Sequence, residues 1–419
     1  MTLPNVAYFA MEIAMDQSLK TYSGGLGFLA GSHMLSAGYL QMPMVGVTML
    51  WSYGYYDQRI DHSGNVEVAY IRKYYDYLVD TGITVEVDTF GEKVKVKAFR
   101  VDPELFGTCP VYLLTTDVEG NSDWAKSISH KLYDGNERIR IAQETILGIA
   151  GVRVLQAAGY NFDVIHMNEG HALPAAFELL RQYNGNLEEV QKKTVFTTHT
   201  PVAAGKEVHW VDTLLEGGFF AGKFHPDDVM GKEMFNKLLN RSHTLKNVVV
   251  LPGYELQLSG MLKRGTDVWL NTPLRPFEAS GTSGMSANAN GALHLSTFDG
   301  WTVEGTFPGI NGYTVEYPEI DDDMPWEERH WADHRCMMDI IENQIIPTYY
   351  NNKQEWARMM RQAIRTAEAY FNSDRMVIEY YNRLYKPIAH DDCSAGEKKK
   401  ELNISETPTF DAWTYSNIK

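Results

Sequence analysis

The chain has 419 residues, a length typical of two or three domains with ample cores. Its formal net charge of −16 argues against a general binder of nucleic acid or anionic membranes, because such a field repels phosphate groups. We find no run of about 18 apolar residues that would span a membrane, and we expect no secretory leader. The three cysteines lie far apart without Cys-x-x-Cys spacing, which indicates reduced thiols in a cytoplasmic protein.

Strand-like and helix-like stretches alternate through the first half of the chain. The apolar run at 5–9 predicts a strand, the spacing over 28–40 a helix, and the apolar run at 44–50 a buried strand. The same alternation predicts a helix over 139–159, a strand at 164–167, a helix over 172–183 and a strand at 194–198. Strands that alternate with helices favour an α/β fold with a parallel sheet covered on both faces.

Two features divide this pattern into domains. Alternating residues within 83–114 predict antiparallel strands inserted into the first domain. After residue 212 the alternation starts again, with elements predicted at 218–221, 231–240, 248–251, 255–263 and 267–270, and helical spacing over 326–385. We therefore predict a first domain over 1–212, a second over 213–345, helices over 346–388 and a polar tail over 389–419.

A glycine-rich loop lies between the first predicted strand and the first predicted helix. It reads Gly24-Gly25-Leu26-Gly27. Glycines let the backbone approach a ligand closely, and a helix N-terminus offers free N–H groups and a positive dipole end. The loop lacks the Lys-Ser/Thr of a P-loop and does not match Gly-x-Gly-x-x-Gly. Phosphate or sugar binding and a plain tight turn are therefore both open.

Polar residues also accompany two later predicted strands. One group is His166-Met-Asn-Glu-Gly-His171 and the other is Thr197-Thr-His-Thr-Pro201. In open α/β sheets, polar residues just past the carboxyl ends of strands line the ligand crevice. Asn168 and Glu169 fall in a predicted loop and no third ligand is evident, so we predict no metal site. For His166, His171 and His199 we expect a sugar contact or a structural hydrogen bond.

The densest group of polar residues follows the predicted strand at 267–270. It runs Glu278-Ala-Ser-Gly-Thr-Ser-Gly284. The Glu278 carboxylate can accept hydrogen bonds from two hydroxyls, with Ser280, Thr282 and Ser283 as short donors around it, and Gly281 and Gly284 expose N–H groups suited to an anion. The alternative is an ordinary polar helix N-cap. Such a concentration of small polar residues favours a binding site.

These motifs together resemble the short bacterial and archaeal α-glucan (glycogen) phosphorylases, which are GT-B glycosyltransferases. The similarity reaches about residue 387, with the matching motifs in family order: Tyr8–Glu12, Thr21–Gly27, Leu132–Gly135, His166–His171, Phe196–Gly205, Ala221–Pro226, Asp267–Asn271, Glu278–Met285, Asp299–Trp301, Ile345–Pro347 and Arg375–Tyr380. The resemblance implies two Rossmann-like domains facing a cleft, helices that cross back to the first domain, and a homodimer.

The resemblance also implies roles for site residues. By this resemblance, Glu278 binds hydroxyls of the donor sugar, and residues 25–27 and 281–284 bind phosphate or pyrophosphate. His171 and His199 contact the sugar or donate a proton. Lys223, with Arg264 or Arg275, is the best cationic candidate for the donor.

Two departures from the family pattern change the expected chemistry. The lysine that binds pyridoxal phosphate in the family is replaced by Ser286, whose hydroxyl cannot form an imine, and Lys263 is a poor substitute because it precedes the strand. Between Gly205 and Gly222 the chain also lacks a block that carries glucose and phosphate contacts in the family. We therefore expect no covalent pyridoxal phosphate, and we expect phosphorolysis by the family mechanism to be lost.

Two functions remain as hypotheses. The first is a glycosyltransferase that moves a hexosyl group from a sugar nucleotide or sugar phosphate to a carbohydrate or small-molecule acceptor. The second is a non-catalytic pseudo-phosphorylase that binds sugar or α-glucan; a true α-glucan phosphorylase is less favoured. The intact Glu278 and glycine loops favour the enzyme, while Ser286 and the missing block favour the binding protein.

Overall fold

The computed structural model describes residues 3–199, 211–218, 251, 255–316 and 325–389. Their contacts divide the chain into two compact units. Within the described residues, unit 1 comprises 3–198, 211–218, 251, 255–257 and 376–389, and unit 2 comprises 199, 258–316 and 325–375. Unit 1 therefore contains both the first described segment and the last.

A seven-stranded mixed sheet forms the centre of unit 1 in the described part of the chain. Its strands are β1 (Val6–Phe9), β2 (Met44–Met49), β5 (Val79–Thr89), β6 (Glu92–Val101), β7 (Val111–Thr115), β8 (Val164–Asn168) and β9 (Thr194–Thr197), in the order β5-β6-β7-β2-β1-β8-β9. The strands from β7 to β9 pair in parallel, whereas β6 pairs antiparallel with both β5 and β7. A separate hairpin joins β3 (Asp57–Ile60) to β4 (Val66–Ala69).

Unit 1 also contains helices between and after its strands. Their bounds are Gly25–Tyr39, Pro103–Phe106, Asp123–Ser127, Glu137–Thr145, Gly151–Ala157, Pro174–Gln182, Leu187–Gln191, Val211–Glu216 and Lys386–Ala389, with a 3₁₀ turn at Gly170–Ala172 and π-helical turns at Ile146–Ala150 and Tyr381–Tyr385. Asn136 starts the second long helix, because its side chain accepts hydrogen bonds from the backbone N–H groups of Arg138 and Ile139.

The sheet of unit 1 is buried on both faces. In β1, Ala7 and Phe9 belong to one apolar cluster and Val6 and Tyr8 to the other, since successive side chains of a strand point to opposite faces. Burial on both sides explains why β1 and β2 are apolar at almost every position instead of alternating.

Unit 2 contains a three-stranded parallel sheet among its described residues. The strands are β10 (Val268–Asn271), β11 (Leu293–Thr297) and β12 (Gly312–Val315). The helices are Leu256–Gly265, Ser283–Ala289, Thr302–Gly305, Trp326–Ile340, Ile346–Asn351, Lys353–Ala369 and Ser373–Tyr380, with a π-helical turn at Ile341–Ile345. The first of these begins and the last ends in unit 1. The core joins β11 and β12 to Trp356 and Met359 of the helix Lys353–Ala369.

The predicted mixed α/β class is confirmed, and so are the strands and helices predicted before residue 199. One detail differs: the predicted antiparallel insertion over 83–114 includes residues 111–114 of β7, but β7 pairs in parallel with β2, so β5 and β6 extend the main sheet through it. The elements predicted over 218–250 and the tail after 389 lie almost wholly outside the described residues. The domain boundaries at 212, 345 and 388 stay predictions.

In the described ranges, no helix is both long and apolar enough to cross a membrane.

Candidate functional site

The glycine loop of unit 1 is built around a buried carboxylate. Glu12 follows β1, and its Oε2 accepts hydrogen bonds from the backbone N–H groups of Ser23 at 2.6 Å and Gly24 at 3.1 Å. The Ser23 hydroxyl donates to the same oxygen at 3.0 Å. The amides that begin the loop are therefore already bound to a carboxylate of the protein.

The glycines of this loop differ in what surrounds them. A Cβ added at Gly27 would lie 2.6 Å from Glu12 Oε2 and 2.8 Å from Tyr22 Cβ, whereas one added at Gly24 would meet nothing within 4 Å. Gly25 and Leu26 open the helix Gly25–Tyr39. Gly27 thus has a packing role beside the carboxylate, which the sequence did not indicate.

A chain of contacts through the partly buried Tyr133 links the buried Glu12 to the buried His171. The Tyr133 hydroxyl donates to Glu12 Oε1 at 2.8 Å, and the Tyr133 ring lies 5.8 Å from the His171 ring, centroid to centroid. The Arg140 guanidinium lies over the Tyr133 ring at 4.6 Å and pairs with Glu144 at 3.6 Å. Within unit 1, the structure therefore connects His171 to the glycine-loop carboxylate through the Tyr133 side chain.

Burial dominates the titration of this cluster. It raises the pKa of Glu12 despite the hydrogen bonds that the carboxylate accepts, and it raises the pKa of Glu144 to about 8 although Arg140 opposes the change. Burial, helped by the charge of Arg140, lowers the pKa of His171 well below its usual value. His171 is therefore a neutral imidazole near pH 7, which suits a hydrogen bond to a sugar better than proton donation.

The loop after β8 has an unusual backbone. Glu169 has φ 64° and ψ 179°, a region that non-glycine residues rarely adopt. Its N–H donates to the Thr197 carbonyl at 2.9 Å, and its Oε2 accepts from the Thr198 hydroxyl at 3.1 Å. Asn168 is buried at the end of β8 and His199 is half-buried beyond β9. Strain of this kind concentrates at functional loops.

The Glu278 loop of unit 2 packs against a second turn. The Glu278 N–H donates to Asp299 Oδ2 at 3.0 Å, and the Trp301 N–H donates to the Ser280 carbonyl at 2.8 Å. Gly300 has φ 57°, and a Cβ there would lie 2.9 Å from the Ser280 carbonyl oxygen. The half-buried Glu278 carboxylate has a raised pKa, because of burial and then the nearby charge of Asp299.

Small residues let this loop lie close to its neighbours. Gly281 has φ 73°, and a Cβ at Gly284 would lie 2.7 Å from nitrogens of both His294 and Trp301. The Ser283 hydroxyl accepts a hydrogen bond from the Trp269 indole N–H at 3.3 Å. Structural contacts therefore engage Ser283 and Gly284, while the exposed Ser280 and the partly buried Gly281 and Thr282 retain access to solvent.

The residues at the predicted cofactor position do not fit covalent pyridoxal phosphate. The Ser286 hydroxyl donates to the carbonyl oxygens of Thr282 at 2.8 Å and Ser283 at 3.2 Å, as serines within helices often do. Lys263 is buried with its ammonium 5.7 Å from the centre of the Trp269 ring, and burial lowers its pKa. Position 286 thus offers no amine, and its hydroxyl is bonded within its own helix.

The proposed cationic donor residues differ in their surroundings. Arg275 forms an ion pair with Asp333. Arg264 is exposed on the helix Leu256–Gly265, and Lys223 lies outside the described residues. Arg275 therefore holds the Glu278 segment against the helix Trp326–Ile340, a role that the sequence did not indicate.

Three functional candidates were not predicted from the sequence: Glu12, Tyr133 and Arg140. Glu12 was visible as a single carboxylate within the apolar run 6–15, where burial is expected to require partners. Tyr133 has φ 58°, which no sequence pattern indicates. Across the ranges that the structure describes, no group of three or more His, Cys, Asp or Glu side chains is placed to hold a metal ion.

The chain is similar in sequence to several known proteins. No family model matches it. It is 32% identical to an uncharacterized protein of Methanocaldococcus jannaschii, over 91% of this chain and 99% of the relative. It is 27% identical to the maltodextrin phosphorylase of Thermococcus litoralis and 23% identical to the glycogen phosphorylase of Aquifex aeolicus, each over 91% of this chain and over 70% and 86% of the relative.

The alignments also show what the chain lacks. The alignment with the Methanocaldococcus jannaschii protein extends over 531 positions, whereas the chain has 419 residues. At least 112 positions of that alignment therefore have no counterpart in this chain. Each of these three alignments still covers 91% of this chain. The chain belongs to the phosphorylase-like family that includes these maltodextrin and glycogen phosphorylases.

Proposed function

We propose that the chain is a GT-B glycosyltransferase that transfers a hexosyl group from a phosphorylated sugar donor, a sugar nucleotide or sugar phosphate, to a carbohydrate or small-molecule acceptor. The observation that carries this proposal is the Glu278 loop. Its carboxylate is half-buried beside glycines at positive φ, and Asp299 fixes the loop by accepting the Glu278 N–H. The phosphorylases among the relatives support an activity on sugars.

In the proposed reaction the protein orients the donor and stabilises developing charge. The Glu278 carboxylate accepts hydrogen bonds from donor-sugar hydroxyls and favours the positive charge that develops on the sugar ring. Within unit 2, residues 281 and 282 offer amide groups to the donor phosphate, and within unit 1 the first helical turn at 25–27 offers amide groups to a phosphate group. The neutral His171 hydrogen-bonds a sugar hydroxyl.

We also propose that no covalent pyridoxal phosphate takes part. Ser286 has no amine, and its hydroxyl donates within its helix. The test is borohydride reduction of protein incubated with pyridoxal phosphate, followed by peptide mass spectrometry. We expect no pyridoxyl adduct at a site of stoichiometric occupancy; a stoichiometric adduct on Lys263 would contradict the proposal.

The donor test is calorimetry with UDP-glucose, ADP-glucose and glucose 1-phosphate, followed by product analysis with maltooligosaccharide acceptors. Glu278→Ala should abolish donor consumption because the sugar hydroxyls lose their acceptor. Glu304→Ala is the matched control, since Glu304 is exposed on the neighbouring helix Thr302–Gly305. Equal turnover by wild type and Glu278→Ala would contradict the assignment of Glu278.

A second candidate, a pseudo-phosphorylase that binds sugar or α-glucan without turnover, has its own supporting observation. The Ser23 and Gly24 amides already donate to Glu12, so the start of the glycine loop is satisfied without a ligand. Maltooligosaccharide binding without consumption of any donor would support this candidate over the enzyme.

A further inference from the structure

In unit 1, a buried histidine of β8 is hydrogen-bonded to the last π-helical turn and to the end of β9. His166 lies in β8, and its Nδ1 is 2.6 Å from the Tyr385 hydroxyl, while its Nε2 is 2.9 Å from the Thr197 hydroxyl at the end of β9. Both ring nitrogens therefore have partners within the protein. The hydrogen bonds span 219 residues to Tyr385 and 31 residues to Thr197.

Aromatic rings fix the orientation of this imidazole. The rings of Tyr8, His33, Tyr380 and Tyr385 lie 4.7, 5.9, 5.3 and 5.7 Å from the His166 ring, centroid to centroid. His166 is 1% exposed and Tyr385 is fully buried. Rotation of the imidazole would therefore break both hydrogen bonds and disturb the packing around it.

Thr197 connects His166 to the candidate site by hydrogen bonds. While its hydroxyl bonds His166, its carbonyl accepts the N–H of Glu169, the residue with positive φ. Glu169 begins the short loop that leads through Gly170 to His171. The unfavourable backbone at Glu169 persists only if surrounding contacts hold it, and Thr197 makes one of those contacts.

We propose that Tyr385 is a positioning residue: through His166 and Thr197, it holds the Glu169–His171 loop in its binding geometry. Its hydroxyl donates to His166 Nδ1, and His166 Nε2–H donates to Thr197, because a phenol is the better donor of the two hydroxyls. The proposal rests on the proposed function only in treating His171 as a ligand-contacting residue.

The variant Tyr385→Phe removes the hydroxyl and keeps the ring. Tyr381→Phe is its matched control, because Tyr381 is equally buried four residues earlier and its hydroxyl makes no hydrogen bond to the described residues. In amide hydrogen exchange, Tyr385→Phe should speed exchange of the Glu169 amide by about fivefold, the effect of one lost hydrogen bond. Tyr381→Phe should leave it unchanged.

Histidine ¹⁵N NMR measures the hydrogen bonding of the His166 ring nitrogens directly. A general loss of rigidity in the protein would not shift the Nδ1 resonance alone. In wild type, His166 should be the Nε2–H tautomer with Nδ1 accepting a hydrogen bond, and the Nδ1 resonance should shift toward that of a free imidazole nitrogen in Tyr385→Phe only. Unchanged Nδ1 shift and unchanged Glu169 exchange in Tyr385→Phe would overturn the proposal, as would equal changes in Tyr381→Phe.

Ligand titration separates this proposal from the proposed function. The probes are maltoheptaose and glucose 1-phosphate, measured by calorimetry on wild type and both variants. Weaker binding in Tyr385→Phe alone supports both. If neither probe nor any nucleotide sugar binds wild type, the proposed function fails, while the NMR and exchange results still decide the role of Tyr385.

Discussion

At the level of single residues, Gly27 and Gly24 belong to the same loop but tolerate different side chains. Gly27 faces the Glu12 carboxylate and Tyr22, whereas Gly24 has extended backbone and open space around its Cα hydrogens. The Glu12 carboxylate cannot move far, because it accepts hydrogen bonds from Ser23, Gly24 and Tyr133. The two positions therefore form a natural pair for mutation.

Gly27→Ala should lower the free energy of unfolding by about 1–3 kcal/mol, since its methyl group overpacks a rigid carboxylate. Gly24→Ala should change it by less than about 0.5 kcal/mol. Urea denaturation at pH 7 measures both. Equal stability of the two variants would show that Glu12 does not pack against Gly27 as described.

The glycine and Glu278 loops could be predicted as sites from their residues alone, but their internal contacts could not. The bond from Glu12 to the loop amides joins residues that belong to different elements, and no local pattern specifies which donors a buried carboxylate meets. Likewise Arg275 was predicted as a donor contact, yet it lies 58 residues from Asp333, its partner in the structure. Long-range pairing of charges decides such roles.

At the level of elements, Glu178 holds two helices of unit 1 together. It lies on Pro174–Gln182, is 2% exposed, and accepts hydrogen bonds from Arg153 of Gly151–Ala157 and from Arg181. Arg153 also donates to the Glu86 carbonyl of β5 at 2.6 Å. Burial alone would raise the pKa of Glu178, but hydrogen bonds from Arg181 and Arg153 outweigh it and lower the pKa to about 2.

Glu178→Ala should destabilise unit 1 by about 3 kcal/mol, because it leaves Arg153 without its buried carboxylate. The contribution is present above the usual glutamate pKa and is lost as pH falls from about 4.5 toward 2, since protonation removes the charge. Thermal unfolding at pH 7 and pH 3 checks both statements. Glu188→Ala, at an exposed site, should have little effect; an equal loss would contradict the role of Glu178.

The positions of the strands in unit 1 follow from the sequence because largely apolar runs such as 44–50 have the length of a buried strand. The strands with which β7 pairs, in contrast, do not follow from the sequence. Residues 111–115 are buried throughout and almost entirely apolar, a pattern that fits a parallel and an antiparallel neighbour equally, and β7 has one of each.

At the level of the whole molecule, each unit contains a neutral buried histidine. Burial lowers the pKa of His33 in unit 1 to about 3 and that of His294 in unit 2 to about 4. In the unfolded chain both protonate near pH 6.5, so unfolding takes up protons below that pH. Stability that is present above pH 6.5 is therefore lost as pH falls toward 4.

We expect the free energy of unfolding to fall between pH 6.5 and 4, with a smaller slope in His33→Phe and His294→Phe. His62→Phe is the control, because His62 is exposed. Urea denaturation at intervals of pH measures the slopes. A slope in both buried-site variants equal to that of wild type would contradict the assignment of these histidines.

The return of residues 376–389 to unit 1 has a consequence for synthesis on the ribosome. Val377, Tyr381 and Tyr385 belong to the apolar cluster that also contains Tyr8 and Met34 of the first strand and helix. The nascent chain must therefore grow through residues 258–375 of unit 2 before the residues that complete unit 1 emerge. During that interval the part of this sheet face that Val377, Tyr381 and Tyr385 cover stays exposed, and exposed apolar surface of this kind favours chaperone binding to a growing chain.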